Sequence, residues 1–247
     1  MSQNMEIGNS VQPLRNVAAL SKLIKGLENR QHGLDGMGVF YGPPGYGKTH
    51  AAVFAASALD AIHISVQELW TRKTLLKQVL RELGVAPVSS QAEMLMQANE
   101  ALAMANRPLI IDEADYAVQR GLIPLTRDFH DGSGVPTILI GMEELPQKLR
   151  KFEMVHSRVL IWTPAQPADL KDVRLLANYY GQGITFDDPL LQHIIARNTG
   201  NVRYAARDIA HVKSHCQLQG VTSMTLADWG KTPWPQDEAP VPRRGLK

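Results

Sequence analysis

The ten residues Tyr41–His50, "YGPPGYGKTH", bring three glycines, a lysine and a threonine into a spacing suited to holding a phosphate chain. Gly42-Pro43-Pro44-Gly45-Tyr46-Gly47-Lys48-Thr49 fits G-x-x-x-x-G-K-[ST] at every fixed position. Glycines let successive backbone N–H groups turn inward on the phosphates, and a following helix adds a favourable dipole. Lys48 is the expected partner of the β- and γ-phosphates, and the Thr49 hydroxyl the expected ligand of Mg²⁺. "PLIIDEAD" supplies a second set: a buried apolar run that delivers Asp112 and then Glu113. Asp112 is placed to hold Mg²⁺ through water and Glu113 to polarise an attacking water. The implied chemistry is binding of ATP with Mg²⁺ and its hydrolysis to ADP and phosphate.

Such residues need a scaffold, and the pattern around them gives one. Short apolar, β-rich runs at 36–41, 61–66, 108–111, 135–140 and 159–162 are bounded by Gly, Pro or charge, as buried strands are. Helical stretches at 48–58, 71–83, 90–106 and 114–130 separate most of them. "VAALSKLIKGLE" precedes them with helical spacing. Strands alternating with helices predict an α/β fold with a parallel, doubly wound sheet. After "TPAQP" the strand signal stops, and helical patterns follow at about 167–180, 187–198 and 201–218, with "LADW" as a last turn. The expected organisation is an N-terminal arm at 1–15, a nucleotide-binding α/β domain at 16–165, a helical lid domain at 166–230 and a Pro-rich disordered tail at 231–247.

Composition narrows the class. The chain has 247 residues, 44% hydrophobic and 20% charged, with a formal net charge of +2. That charge gives no global field for nucleic acid, so a basic site has to be local. The single Cys216 excludes an internal disulfide and a cysteine-based zinc site and fits a reducing compartment. No apolar run approaches the roughly 18 residues of a spanning helix, and "MSQNMEIGNS" has no signal-peptide pattern. A cytoplasmic protein, in a bacterial host cell, is expected. The letters Asp-Glu-Ala-Asp do not make a DEAD-box helicase, which needs two tandem RecA-like domains.

Two later arginines refine the reading. "VHSRVLIWTP" sets Arg158 just before the last strand, and "NTGNVRYAARDIAHV" sets Arg203 at a helix start. The first resembles the Ser-Arg box of clamp loaders and replication initiators, and the second resembles the second sensor of the same superfamily. With "GPPGYGKT" and "IIDEAD" they make the chain, over roughly residues 15–220, resemble an AAA+ ATPase of the initiator-like branch. Within that branch, "LIIDEAD" followed by "GSGVPTILIGMEEL" most resembles the DNA-transposition ATPases: the phage Mu B type, with the TnsC and TniB target-selection proteins as cousins. The resemblance implies ATP-dependent self-assembly into a filament or ring on duplex DNA and recruitment and stimulation of a transposase. It also implies that Arg158 reaches a neighbour's γ-phosphate. Helicase-loader or insertion-sequence helper ATPases, and protein-binding regulatory or secretion ATPases without DNA, are the alternatives.

Two departures from the family pattern stand out. The 1–40 stretch is too short for the helix-turn-helix domain of Mu B, and Gly141 is followed by Met142 where a polar residue usually orients the attacking water. A thioether is a poor hydrogen-bond partner, so this sensor is missing or displaced to Glu143, and slow hydrolysis is expected.

A local basic site is present. In "TRKTLLKQVLRELG", Lys73, Lys77 and Arg81 share one helical stripe, with Arg72 near the start and leucines opposite. In the resembling family the equivalent segment tracks DNA phosphates; the plain alternative is a solvated face on a core-packed helix. No aromatic residues interleave, so single-strand stacking is not indicated. His211 and His215, four apart beside Cys216, lack a third ligand for a metal and read as helix-surface residues. Met94, Met96 and Met104 read as core packing and filler. Trp229 is placed to dock the tail, and Trp234 among prolines to meet a partner.

Overall fold

The computed structural model describes residues 14–235. The outermost parts of the expected arm and tail lie outside the described residues. Helix α1 (Arg15–Glu28) leads into β1 (Met37–Tyr41), α2 (Lys48–Ala58), β2 (Ile62–Ser65), α3 (Arg72–Glu82), α4 (Gln91–Ala105) and β3 (Leu109–Asp112). Then come α5 (Ala114–Gln119), α6 (Ile123–Ser133), β4 (Thr137–Gly141), α7 (Leu145–Leu149), α8 (Glu153–His156) and β5 (Val159–Pro164). The remainder is α9 (Leu170–Tyr180), β6 (Thr185–Phe186), α10 (Asp188–Arg197), α11 (Val202–Gln219), β7 (Ser223–Met224) and α12 (Leu226–Trp229).

Strands β1 to β5 form one parallel sheet in the order β2-β3-β4-β1-β5. Every residue of β3 and β4 is buried, which is why these runs read as continuously apolar rather than alternating. Alternate side chains serve opposite faces. Met37, Val39, Ile64, Ile111 and Leu139 join Leu75, Leu76, Val79 and Leu80 of α3 and Met94, Ala98 and Leu102 of α4 in one core. On the other face α1 lies so close that a Cβ at Gly38 would stand 2.8 Å from Leu23 and 2.9 Å from Leu27. Helices therefore cover both faces, as the α/β, doubly wound expectation required.

Four corrections concern local structure. The stretch 114–130 is two helices, because the chain breaks at Gly121, whose φ of 63° an L-residue with a side chain rarely adopts. The strand signal does not end at "TPAQP": β6 and β7 pair in parallel over two residues each. Of the three methionines, only Met94 is core; Met96 and Met104 are 72% and 81% exposed. Trp234 does not stand free among its prolines. It stacks on His193 with ring centroids 5.6 Å apart and lies under the Arg197 guanidinium at 5.3 Å.

The chain divides into two compact units that meet between Gln166 and Pro167. The second carries α9 to α12. Its centre is a fully buried Asp208, held by Arg197 at 2.8 Å, Arg207 at 2.9 Å and Asn198 at 2.7 Å. A buried carboxylate needs this many donors, since desolvation without them costs several kcal/mol. His211 and His215 both set ring edges against the buried Trp229, at 5.7 and 5.2 Å between centroids. Both histidines stay half-exposed on α11, as helix-surface residues that also pack on this indole.

Candidate nucleotide site

The glycine loop leaves β1 at its carboxyl end and turns into α2. Gly45 and Gly47 have φ of 81° and 78°, left-handed conformations that aim consecutive N–H groups the same way. Gly47 caps α2, so Lys48 and Thr49 stand in its first turn. Three alanines, Ala51, Ala52 and Ala55, are the buried face of α2, and their small size lets the helix lie close to the sheet. Lys48 Nζ donates to the carbonyls of Gly42 (2.7 Å) and Pro43 (2.8 Å), spanning the loop from inside. Burial lowers the Lys48 pKa, and Glu113, Asp112 and Asp115 oppose that shift with their negative charge. The two motifs far apart in sequence thus converge.

Asp112 ends β3, buried at 2% exposure. Its Oδ1 accepts the Glu113 N–H at 2.8 Å, while Oδ2 has no hydrogen-bond partner and lies 3.5 Å from His63 Nε2. A buried carboxylate oxygen without a donor is what a hydrated Mg²⁺ would satisfy, and the Thr49 hydroxyl suits the same hard cation. Glu113 adopts φ 55°, ψ 41°. For a non-glycine residue this costs roughly 1–3 kcal/mol, and such strain gathers at functional sites. It turns the backbone off the strand line directly after Asp112.

Asn16 was not foreseen. It is 3% exposed, and its amide nitrogen donates to the carbonyls of Tyr46 (2.7 Å) and Gln166 (2.8 Å), while its oxygen accepts the Gln166 N–H at 2.9 Å. It ties the tip of the glycine loop to the exit of β5. The signal was present: position 16 shares the apolar phase of α1 with Leu20, Leu23 and Leu27, an odd place for an amide. Asn16→Ala would remove the three hydrogen bonds that join the backbone of Tyr46 to that of Gln166. We expect ATP affinity to fall several-fold with a loss of roughly 1–3 kcal/mol in stability, read by calorimetry and denaturant titration.

Arg158 is not brought to this site. It stands at the start of β5, beside the start of β1, where the Met37 N–H donates to the Arg158 carbonyl at 3.3 Å. Because β1 and β5 are parallel, the glycine loop is at the other end of the sheet, about 13 Å further along the strand. The Arg158 side chain bonds Asp131 Oδ1 (2.7 Å) and the Met154 carbonyl (2.6 Å), and the hydrogen bond to Asp131 raises its pKa. Arg203 is exposed in the first turn of α11, where the Asn201 side chain caps the helix, and belongs to the second unit.

Residues 31–149 match the AAA domain family. The fold is that of the AAA+ P-loop proteins. Among solved structures, the chain is similar to Cdc6p from Pyrobaculum aerophilum (TM-score 0.61, 16% identity, 87% of this chain and 66% of that one). It is also similar to the Aeropyrum pernix ORC1 protein in complex with DNA (0.59, 15%, 85% and 62%). The Thermotoga maritima RuvB Holliday junction branch migration motor matches too (0.55, 21%, 84% and 64%). The chain thus spans less than two thirds of the length of each of these AAA+ structures. No curated protein matches it in sequence. No helix of the described residues is long and apolar enough to cross a membrane.

The basic stripe of α3 keeps the predicted geometry. Arg72, Lys73, Lys77 and Arg81 are all exposed, while Leu75, Leu76, Val79 and Leu80 are buried. Burying four such side chains contributes roughly 1.5–3 kcal/mol each, so the charged face is not needed to hold α3 in place. Among the described residues, the side-chain hydrogen bonds there join Gln78 to Glu82 and Thr71 to Thr74, and none involves the four cations.

Proposed function

We propose that this chain is an ATPase that assembles with copies of itself on duplex DNA and hydrolyses ATP slowly at the boundary between protomers. The observation that carries it is the convergence of Lys48 with Asp112 and Glu113 at the carboxyl ends of β1 and β3, which flank β4, while Arg158 lies at the opposite end. A site with phosphate cradle, metal carboxylate and base, but with its arginine pointing elsewhere, is completed by a neighbour.

The loop N–H groups and Lys48 hold the phosphate chain. Thr49 and Asp112 would hold Mg²⁺, which neutralises charge on the β- and γ-phosphates when bound. Glu113 orients the attacking water and accepts its proton, and the neighbour's Arg158 stabilises charge on the transferred group. Arg203 keeps the sensor role that the resemblance of "NTGNVRYAARDIAHV" implies. The exposed cations of α3 supply phosphate contacts to duplex DNA. The finer reading is target-DNA selection with recruitment of a transposase; it rests on the resemblance of "LIIDEAD" and "GSGVPTILIGMEEL" to the Mu B type.

Duplex binding measured against salt, with ATP present, tests the DNA part. If Lys73 and Lys77 each neutralise a phosphate, removing either should lower the log–log slope by about 0.9 and weaken all sequences alike. An unchanged slope in both Lys73→Ala and Lys77→Ala makes the stripe a solvated face. Absence of ATP-dependent duplex binding by the parent points to a protein partner instead. Stimulation of a strand-transfer reaction separates transposition from helicase loading.

A further inference from the structure

Two of the buried side-chain atoms without a hydrogen-bond partner stand together at the nucleotide site. Asp112 Oδ2 and His63 Nε2 are 3.5 Å apart. The sheet brings them there. Ile62 and Ile64 of β2 and Ile111 of β3 join the core that holds α3 and α4, so His63 and Asp112, each one residue away, turn to the opposite face. The two strands are parallel with Ser65 beside Asp112, which sets His63 one step back along that same face.

The rest of Asp112 is already held. Its carbonyl accepts the Val66 N–H at 3.0 Å, and Oδ1 accepts the Glu113 N–H at 2.8 Å. The freedom that remains is the turn of the carboxylate about its last bond, a broad torsion that one hydrogen bond limits but does not stop. That turn decides where Oδ2 points. A carboxylate only accepts, so the imidazole nitrogen that faces it carries the ring proton. An Nε2–H set on one lone pair of Oδ2 arrests the turn and leaves the second lone pair for a metal-bound water.

We propose that His63 is a positioning residue for the metal carboxylate: through Nε2 it aims Asp112 Oδ2 at the hydrated cation that accompanies ATP. The assignment rests on the ATPase reading and deepens it, since it gives β2 a part in a site otherwise built from β1 and β3. His63 acts through Asp112 and takes no part in the chemistry. Its contribution is therefore to the metal, and the glycine loop and Lys48 hold the phosphates without it.

The test is calorimetry of ATP with Mn²⁺ and of ATP in EDTA, in a Glu113→Gln background where turnover does not interfere. Removing a partner of a metal-binding carboxylate costs about 10–100-fold in metal affinity, so His63→Leu should weaken ATP with Mn²⁺ by about that factor and leave ATP in EDTA within about twofold. Glutamine carries its amide nitrogen where histidine has Nε2, and asparagine carries its own where histidine has Nδ1. His63→Gln should therefore keep most of the Mn²⁺-dependent affinity and His63→Asn should lose it, a distinction that a role in packing would not make. Should His63→Leu not fold, the comparison of His63→Gln with His63→Asn carries the test. Unchanged affinity for ATP with Mn²⁺ in a folded His63→Leu, equal behaviour of the two amides, or an equal loss in EDTA overturns the assignment. If Lys48→Ala then still abolishes ATP binding, the ATPase reading stands without it. Failure of the parent to bind ATP overturns both.

Discussion

Lys48→Ala is expected to abolish ATP binding at millimolar nucleotide while leaving the protein folded. Lys48 acts twice. Its ammonium crosses the glycine loop to the Gly42 and Pro43 carbonyls, and it is the cation set against Asp112, Glu113 and Asp115. Hydrogen bonds to charged groups contribute about 1.5–3 kcal/mol each, so losing two phosphate contacts alone weakens ATP by roughly 150-fold or more. Removing the cation also leaves three carboxylates facing an incoming polyanion. Both effects act in one direction. Calorimetry should show no ATP heat in a variant whose thermal transition matches the parent; unchanged affinity would remove Lys48 from the site.

The convergence of loop and acids was legible in sequence because each motif announces its own element. Three glycines after an apolar run fix strand, turn and helix locally, and "LIID" fixes a strand with an acid at its end. In an open parallel sheet both carboxyl ends must lie on one side, so the meeting of Lys48 with Asp112 follows from topology. The basic stripe was legible for the same reason: a period of 3.6 with leucines opposite admits one arrangement.

What stayed hidden depends on contacts between segments without a period. Asn16 meets Tyr46 and Gln166, 30 and 150 residues away, and nothing near it in sequence names those partners. Lys148, which donates to Asp115 at 2.8 Å, sits in "EELPQKLRKFEMVHS", where α7 and α8 are too short to show a hydrophobic period. The helix read as 114–130 carried one apolar pattern across Gly121, and only the backbone turn at that glycine divides it. The bridge between β6 and β7 spans two residues each, below the length at which alternation can register. Met142 meets Asp115 through its backbone N–H, a contact that no side-chain pattern announces.

Glu113→Gln and Arg158→Ala should each reduce assembly-stimulated hydrolysis by at least a hundredfold, yet partly restore it when mixed. Losing a general base costs about 10²–10⁴ in rate, and losing an arginine donated across a boundary costs about 10³–10⁵. The restoration follows from where the two residues stand. Glu113 follows β3 at the carboxyl end of the sheet, whereas Arg158 precedes β5 at the amino end, so one protomer cannot bring both to one phosphate without unfolding the strands between. In a random equal mixture, a protomer with intact Glu113 meets a neighbour with intact Arg158 at about a quarter of boundaries, one half times one half, so about a quarter of parent turnover should return. Arg158→Ala alone should bind ATP nearly as the parent does, because its present partners are Asp131 and the Met154 carbonyl rather than the glycine loop. Glu113→Gln should bind ATP and accumulate in the assembled form, since the step that would dissolve it is blocked. Crosslinking must show that the two variants co-assemble. If they do and turnover stays at the level of either variant alone, Arg158 does not act across the boundary, and the proposal of a shared site fails there.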